Sequence, residues 1–330
     1  MAVLSEALHS NTPNLKCLDI SFCEVYERGF LKLCSALKKR RKKGHPGLQG
    51  LILTGNTISY CAAKDLGLAL CNNRSRSPIS YQRHEIVKSG YEDEDECGED
   101  DFEDDEEDDD KGSGLKRRLS GTRKQKMSKK EKVSHIDVKA KKEDLGIQLL
   151  HLASTSLDAA LLTQMLIGLG EASNLREIDV SSNLFGAEGI TPFTDFLERK
   201  GQQVMPNDRL NISNNHIGDD GLAKITRAVS KRSQMSLVDI HLSFNDIGSG
   251  GTGTLMNKLL SINILTLSLD NNLLGDAGCQ LVAASLTSMH HLSSLNLMRS
   301  CPTKTFNSTI SFSFLPSSNG DIGINFPNDF

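Results

Sequence analysis

Residues 265–278 read LTLSLDNNLLGDAG, and residues 238–251 read VDIHLSFNDIGSGG. Aligned on Asn272 and Asn245, both carry aliphatics three and five residues before the asparagine and glycines three and six residues after it. The same register holds at Asn56 (after Leu51 and Leu53), Asn183 (after Ile178 and Val180) and Asn215 (after Leu210 and Ile212). Three further units fit with the asparagine replaced: Leu18 and Ile20 before Cys23, Leu150 and Leu152 before Thr155, Leu295 and Leu297 before Ser300. From Thr155 onward the steps are 28, 32, 30, 27 and 28 residues. That is the period of a stacked supersecondary repeat, and the predicted structure has about eight such units.

Aliphatics two residues apart point to one side of a short strand, so each LxL pair faces a core while the residues around it face out. The asparagine falls where the chain turns away from the strand, and its side-chain amide can pair backbone groups that the turn leaves open. The glycines of NxxGxxG (Gly186 and Gly189, Gly218 and Gly221, Gly248 and Gly251, Gly275 and Gly278) permit a tight turn into a helix. In AGCQLVAASLTSM, Leu281 and Leu286 are expected to lie toward the strands. A single glycine-rich turn into a helix could cradle phosphate. Four copies in register with LxL indicate a scaffold instead.

Tryptophan is absent and aromatics are 5% of the chain, so the core is aliphatic. No two of the eight cysteines form a CxxC pair, and that spacing argues against a metal site. No apolar run is long enough to span a bilayer, and the first residues lack a basic start and a cleavage site. The expectation is an intracellular, reduced protein in the nucleus or cytoplasm, not a secreted or membrane protein.

Between Asn56 and Thr155 the repeat is interrupted. Residues 92–110, EDEDECGEDDFEDDEEDDD, hold 16 acids in 19 positions, and residues 111–142 hold 13 Lys or Arg against Glu131 and Asp137. Such a segment buries too little apolar surface to offset its ordering entropy, so it is expected to be disordered. The expected organisation is therefore repeats over 1–73, a charged insertion over 74–144, repeats over 145–300 and an irregular tail over 301–330. Lys116, Arg117, Arg118 and Arg123, Lys124, Lys126, Lys129, Lys130 read as a two-part import signal, or as a solvated run neutralising its acidic neighbour. Ser120 follows Arg117-Arg118-Leu119 as a candidate phosphorylation site. The acid run could contact histone tails, and the basic run an import receptor. A second basic run, Lys38–Lys43, ends the first repeat's helix, where it meets that helix's negative end.

The nine histidines are scattered, without HExxH, and neither GxSxG nor a Walker loop is present. The chain is read as non-enzymatic, with no cofactor and no small-molecule substrate.

LSLDNNLLGDAGCQLVAASL resembles the ribonuclease-inhibitor-like class of leucine-rich repeats, over about 14–72 and 146–300. The resemblance implies an α/β solenoid, curved, with a parallel sheet on the concave side and helices on the convex side. The class includes ribonuclease inhibitor, the Ran GTPase-activating protein, NOD-like receptors, CARMIL-type regulators and Tonsoku-like chromatin proteins, all of which hold another macromolecule. In the Ran activator an acidic block follows the repeats, whereas here it interrupts them. Repeats, acid run and import-like cluster together resemble a nuclear scaffold of the Tonsoku type. MAVLSEALHS reads as the helical half of an earlier repeat and the tail abandons the pattern, so a longer parent solenoid is expected.

The concave positions are those beside the LxL residues: Asp19, Glu177, Asp179, Arg209, Asn211, Asp239, His241, Ser268 and Asp270, with serines and Thr266 among them. Acids outnumber bases along this ribbon, which points to a protein partner with a basic surface.

Overall fold

The computed structural model describes residues 1–10, 12, 14–71, 146–170, 175–183, 185–200, 208–230 and 237–300. Each unit supplies one strand and one helix. The strands are β1 (Cys17–Asp19), β2 (Gly50–Ile52), β3 (Leu149–His151), β4 (Glu177–Asp179), β5 (Asp208–Asn211), β6 (Leu237–His241), β7 (Thr266–Ser268) and β8 (Ser294–Asn296). The helices are α1 (Ala2–Ser10), α2 (Glu27–Lys42), α3 (Tyr60–Leu70), α4 (Ala159–Leu169), α5 (Gly186–Lys200), α6 (Gly218–Ser230), α7 (Ser249–Leu259) and α8 (Gly275–Leu286). The strands form one parallel sheet in sequential order. Leu18, Leu51, Leu150, Ile178, Leu210, Ile240, Leu267 and Leu295 pair in one continuous row. All are buried against the helix layer. This is a β–α solenoid, and each helix packs mainly on its sequence neighbours.

The helix faces follow the 3.6-residue period with one correction. In α8 it is Cys279, Val282 and Leu286 that are buried, whereas Leu281 is 42% exposed. The spacing 279, 282, 286 follows one helical stripe, and residue 281 lies about 100° from 282 around the helix.

The interruption leaves the sheet intact. β2 pairs β3 in the same register as every other neighbour, Gly50 opposite Leu149 and Ile52 opposite His151. Behind them α3 and α4 meet backbone to backbone at Gly67 and Gly168. A β-carbon on Gly67 would press into the Met165 carbonyl oxygen and stand 2.9 Å from Gly168 Cα; one on Gly168 would lie 2.8 Å from Lys64 O. Alanine would gain up to about 1 kcal/mol of helix preference. Overpacking against main chain that cannot yield costs about 1–3 kcal/mol, and it wins. Gly67→Ala is expected to lower the melting temperature by roughly 5 °C in a circular dichroism melt. An unchanged or higher melting temperature would contradict this contact.

Two features depart from expectation. Within the basic run Lys38–Lys43, Arg40 is fully buried. Its guanidinium donates to the carbonyls of Leu8 (2.9 Å), Thr12 (2.6 Å), Leu15 (3.0 Å) and Pro46 (2.9 Å). The helix end it serves is that of α1 rather than its own. The cysteines also differ among the described residues: Cys17, Cys23, Cys34 and Cys71 are free, whereas Cys61 and Cys279 are disulfide-bonded. Burial in α2 pushes the Cys34 thiol up to about 12. The insertion over 74–144, with Ser120, Lys116, Arg117, Arg118, Arg123, Lys124, Lys126, Lys129 and Lys130, lies outside the described residues, as does the tail over 301–330.

Candidate interaction face

The repeat asparagines build the frame that carries the sheet's open face. Asn183 accepts from the N–H groups of Thr155 (3.0 Å) and Leu157 (2.9 Å), and its amide donates to the carbonyls of Leu152 and Val180, both at 2.9 Å. Asn215 accepts from Asn183 N–H, Asn245 from Asn215 N–H and Asn272 from Asn245 N–H. Each amide donates to a carbonyl of its own strand end and to one in the preceding repeat. Ser300 ends the ladder, accepting from Asn272 N–H at 3.0 Å and donating to Leu269 O at 2.6 Å. Thr155 donates to Leu152 O in its own repeat at 2.7 Å and to Asn183 Oδ1 in the next at 3.4 Å, and makes no bond back to the preceding repeat through its side chain.

At the junction flanking the insertion, Ile58 N–H therefore goes to the Thr155 main-chain carbonyl at 3.3 Å. Asn56 still donates to Ile20 O and Leu53 O and accepts from Val25 N–H. Cys23 does not join the ladder: it is exposed and its thiol turns to Ser21 O at 3.4 Å. A hydroxyl reproduces part of the amide's pairing, and the exposed thiol keeps only the contact to the carbonyl two residues back.

The turn repeats as closely. The residue before each ladder position adopts a left-handed conformation: Phe22 (φ 52°), Ser154 (54°), Ser182 (54°), Asn214 (56°), Phe244 (55°), Asn271 (53°) and Arg299 (56°). It lets each N–H reach a carbonyl of the next repeat, as Asn214 N–H does to Ser243 O at 2.8 Å.

On this frame the residues beside the buried row face away from the helices. Glu177 accepts from His151 at 2.8 Å and lies 3.8 Å from Arg209, whose Nε is 2.9 Å from Asp239. The result is a chain of side-chain contacts across β3–β6 that runs diagonally at His151, which the register sets opposite Asp179. In the neighbouring row Asn211 donates to Asp179 at 3.0 Å, and His241 lies 3.1 Å from Ser268. Asp270 is nearly buried, accepting from Asn296 and Asn271 at 2.9 and 2.8 Å and from the Ser243 hydroxyl. Asp19 stands apart on β1, where bonds from Ser21 hold its carboxyl below the usual range.

Strand pairing thus joins Glu177, Asp179, Arg209, Asn211, Asp239, His241, Ser268 and Asp270, and leaves Asp19 separated by β2 and β3. Between them the face carries Ile52 and Leu149 rather than acids. Sequence reading missed His151 and Asn296. Both stand between core aliphatics, His151 between Leu150 and Leu152, so the same register locates them.

Ladder, left-handed turn and unbroken sequential sheet recur unit by unit, and the family described as "Leucine Rich repeat" matches residues 209–225. The fold is that of a leucine-rich repeat solenoid. The match falls on β5 and the first part of α6. The chain is also similar to curated relatives: "Tonsoku-like protein" of Danio rerio, 29% identical over 169 residues, 50% of this chain and 12% of the relative. "Tonsoku-like protein" of Mus musculus is 31% identical over 142 residues, 42% of this chain and 10% of the relative. The matched region is thus about a tenth of the length of these relatives. Among the described residues no helix is long and apolar enough to cross a membrane.

Proposed function

We propose that this leucine-rich repeat protein is a non-catalytic scaffold that holds a partner protein with a basic surface on the open face of β4–β7, in the nucleus. The observation that carries the reading is the charge of that face. Glu177 and Asp239 flank the single guanidinium of Arg209, Asp179 stands in the neighbouring row, and Asp270 and Asp19 are further acids along the sheet. A carboxylate excess on a rigid surface attracts cationic partners and repels anionic ones, nucleic acid included. The similarity to Tonsoku-like proteins supports the scaffold reading, and the basic clusters between Lys116 and Lys130 support the nucleus.

The test is affinity purification with the wild type and with Glu177→Lys, Asp179→Lys and Asp239→Lys combined. These three side chains are only partly buried, so the fold survives the change. Partners with basic surfaces should be recovered at least tenfold less by the variant. Equal recovery would overturn the proposal. Faster hydrolysis when the protein meets GTP-loaded Ran would instead favour a GTPase activator.

A further inference from the structure

We propose that Phe244, Leu273 and Met298 form an apolar anchor beside the acidic face, so that the segment bound there carries both Lys or Arg and an aromatic or aliphatic side chain. The inference rests on the proposed function and specifies its partner. The three residues belong to consecutive repeats: Phe244 precedes Asn245, Leu273 follows Asn272, and Met298 lies two residues before Ser300. They are 49%, 69% and 37% exposed.

The sheet register places them at one edge of the charged region. Phe244 N–H bonds Asp270 O, and Asn271 N–H bonds Met298 O, so the main chain of the three repeats is tied together beneath them. The Asp270 carboxylate lies among Ser243, Asn271 and Asn296, and Asp246 follows two residues after Phe244, paired to His216 at 2.8 Å. Apolar surface bordered by carboxylates suits a polypeptide whose apolar side chain enters while its ammonium or guanidinium groups meet the acids. Aromatic anchors of this kind dominate the energy of an interface while charge sets selectivity.

The remaining repeats place Phe22, Gly55, Ser154, Ser182, Asn214, Asn271 and Arg299 at Phe244's position, so glycine, serine, asparagine and arginine also serve there. Phenylalanine is thus not needed for the turn, and replacing it with serine keeps the fold.

The test uses the full chain and three fluorescein-labelled peptides of equal length, read by anisotropy. One alternates Lys with Leu and Phe, one alternates Lys with Gly, and the third is residues 303–317 of this chain. The Lys/Leu/Phe peptide should bind at least tenfold more tightly than the Lys/Gly peptide. Phe244→Ser or Leu273→Ser should remove that difference without weakening the Lys/Gly peptide or lowering the melting temperature. Equal binding of the two cationic peptides by the wild type would overturn the anchor and leave the acidic face standing. Failure of both peptides to bind would overturn both. Preferential binding of the 303–317 peptide would give the patch to the chain's own C-terminal segment and also refute the proposal.

Discussion

Asn183→Ala is expected to cost about 3–5 kcal/mol. The change leaves the N–H groups of Thr155 and Leu157 without their side-chain partner, while the carbonyls of Leu152 and Val180 each lose one donor and keep another, from Thr155 and Asn215. A buried backbone group left unpaired costs about 1–3 kcal/mol, so the two orphaned N–H groups together with the lost amide packing account for the expected loss. The solenoid should lose roughly 10 °C of melting temperature, measured by circular dichroism. Asn272→Ser is expected to be milder, because Ser300 shows that a hydroxyl can accept one N–H and donate to one carbonyl at this site. Equal melting temperatures for wild type and Asn183→Ala would show that the ladder contributes nothing net.

The second large effect is expected at Arg40. Its guanidinium holds four carbonyls of the segment joining α1 to β1 and of the turn after α2. Lysine offers one ammonium in place of a planar fork and cannot reach all four, so Arg40→Lys should fail almost as badly as Arg40→Met. The loss should be local: α1 and residues 12–16 detach while the rest of the sheet holds, because repeat units depend on their neighbours rather than on distant parts of the chain. Hydrogen exchange is the direct measurement. Amides of α1 should exchange at least about a hundredfold faster, equivalent to about 2.7 kcal/mol, while those of β4–β8 keep their protection. Unchanged exchange in α1 would show that burial of Leu8 alone secures the helix.

The contrast between these two residues shows where sequence reading succeeds. Asn183 is visible in the sequence because its role recurs: the same side chain, at the same distance from two aliphatics, meets the same backbone groups in every repeat. Arg40 sits in a run of six basic residues, and nothing in the spacing distinguishes it from Lys38, Lys39, Lys42 and Lys43. Its burial follows from the position of α1, an element with no asparagine signature. Leu281 fails for a related reason. Its aliphatic character suits either side of a helix, and only the angle at which α8 meets the sheet assigns Val282 to the core.

By itself, the sequence determined the order of strands and helices, the residues of the buried row and the positions beside it that face away from the helices, because a nearest-neighbour solenoid turns periodicity directly into contacts. The tertiary structure alone decided which face residues meet. Strand pairing brings residues about 30 apart in sequence to within about 5 Å, and it is this that joins Glu177, Arg209 and Asp239 into one charged row, with His151 reaching Glu177 diagonally from its place opposite Asp179. It also decided how the chain resumes after the insertion, through the contact of Gly67 with Gly168. That contact joins residues about 100 positions apart, with no periodic signal between them, because close approach of two backbones depends on helix placement rather than on any local pattern.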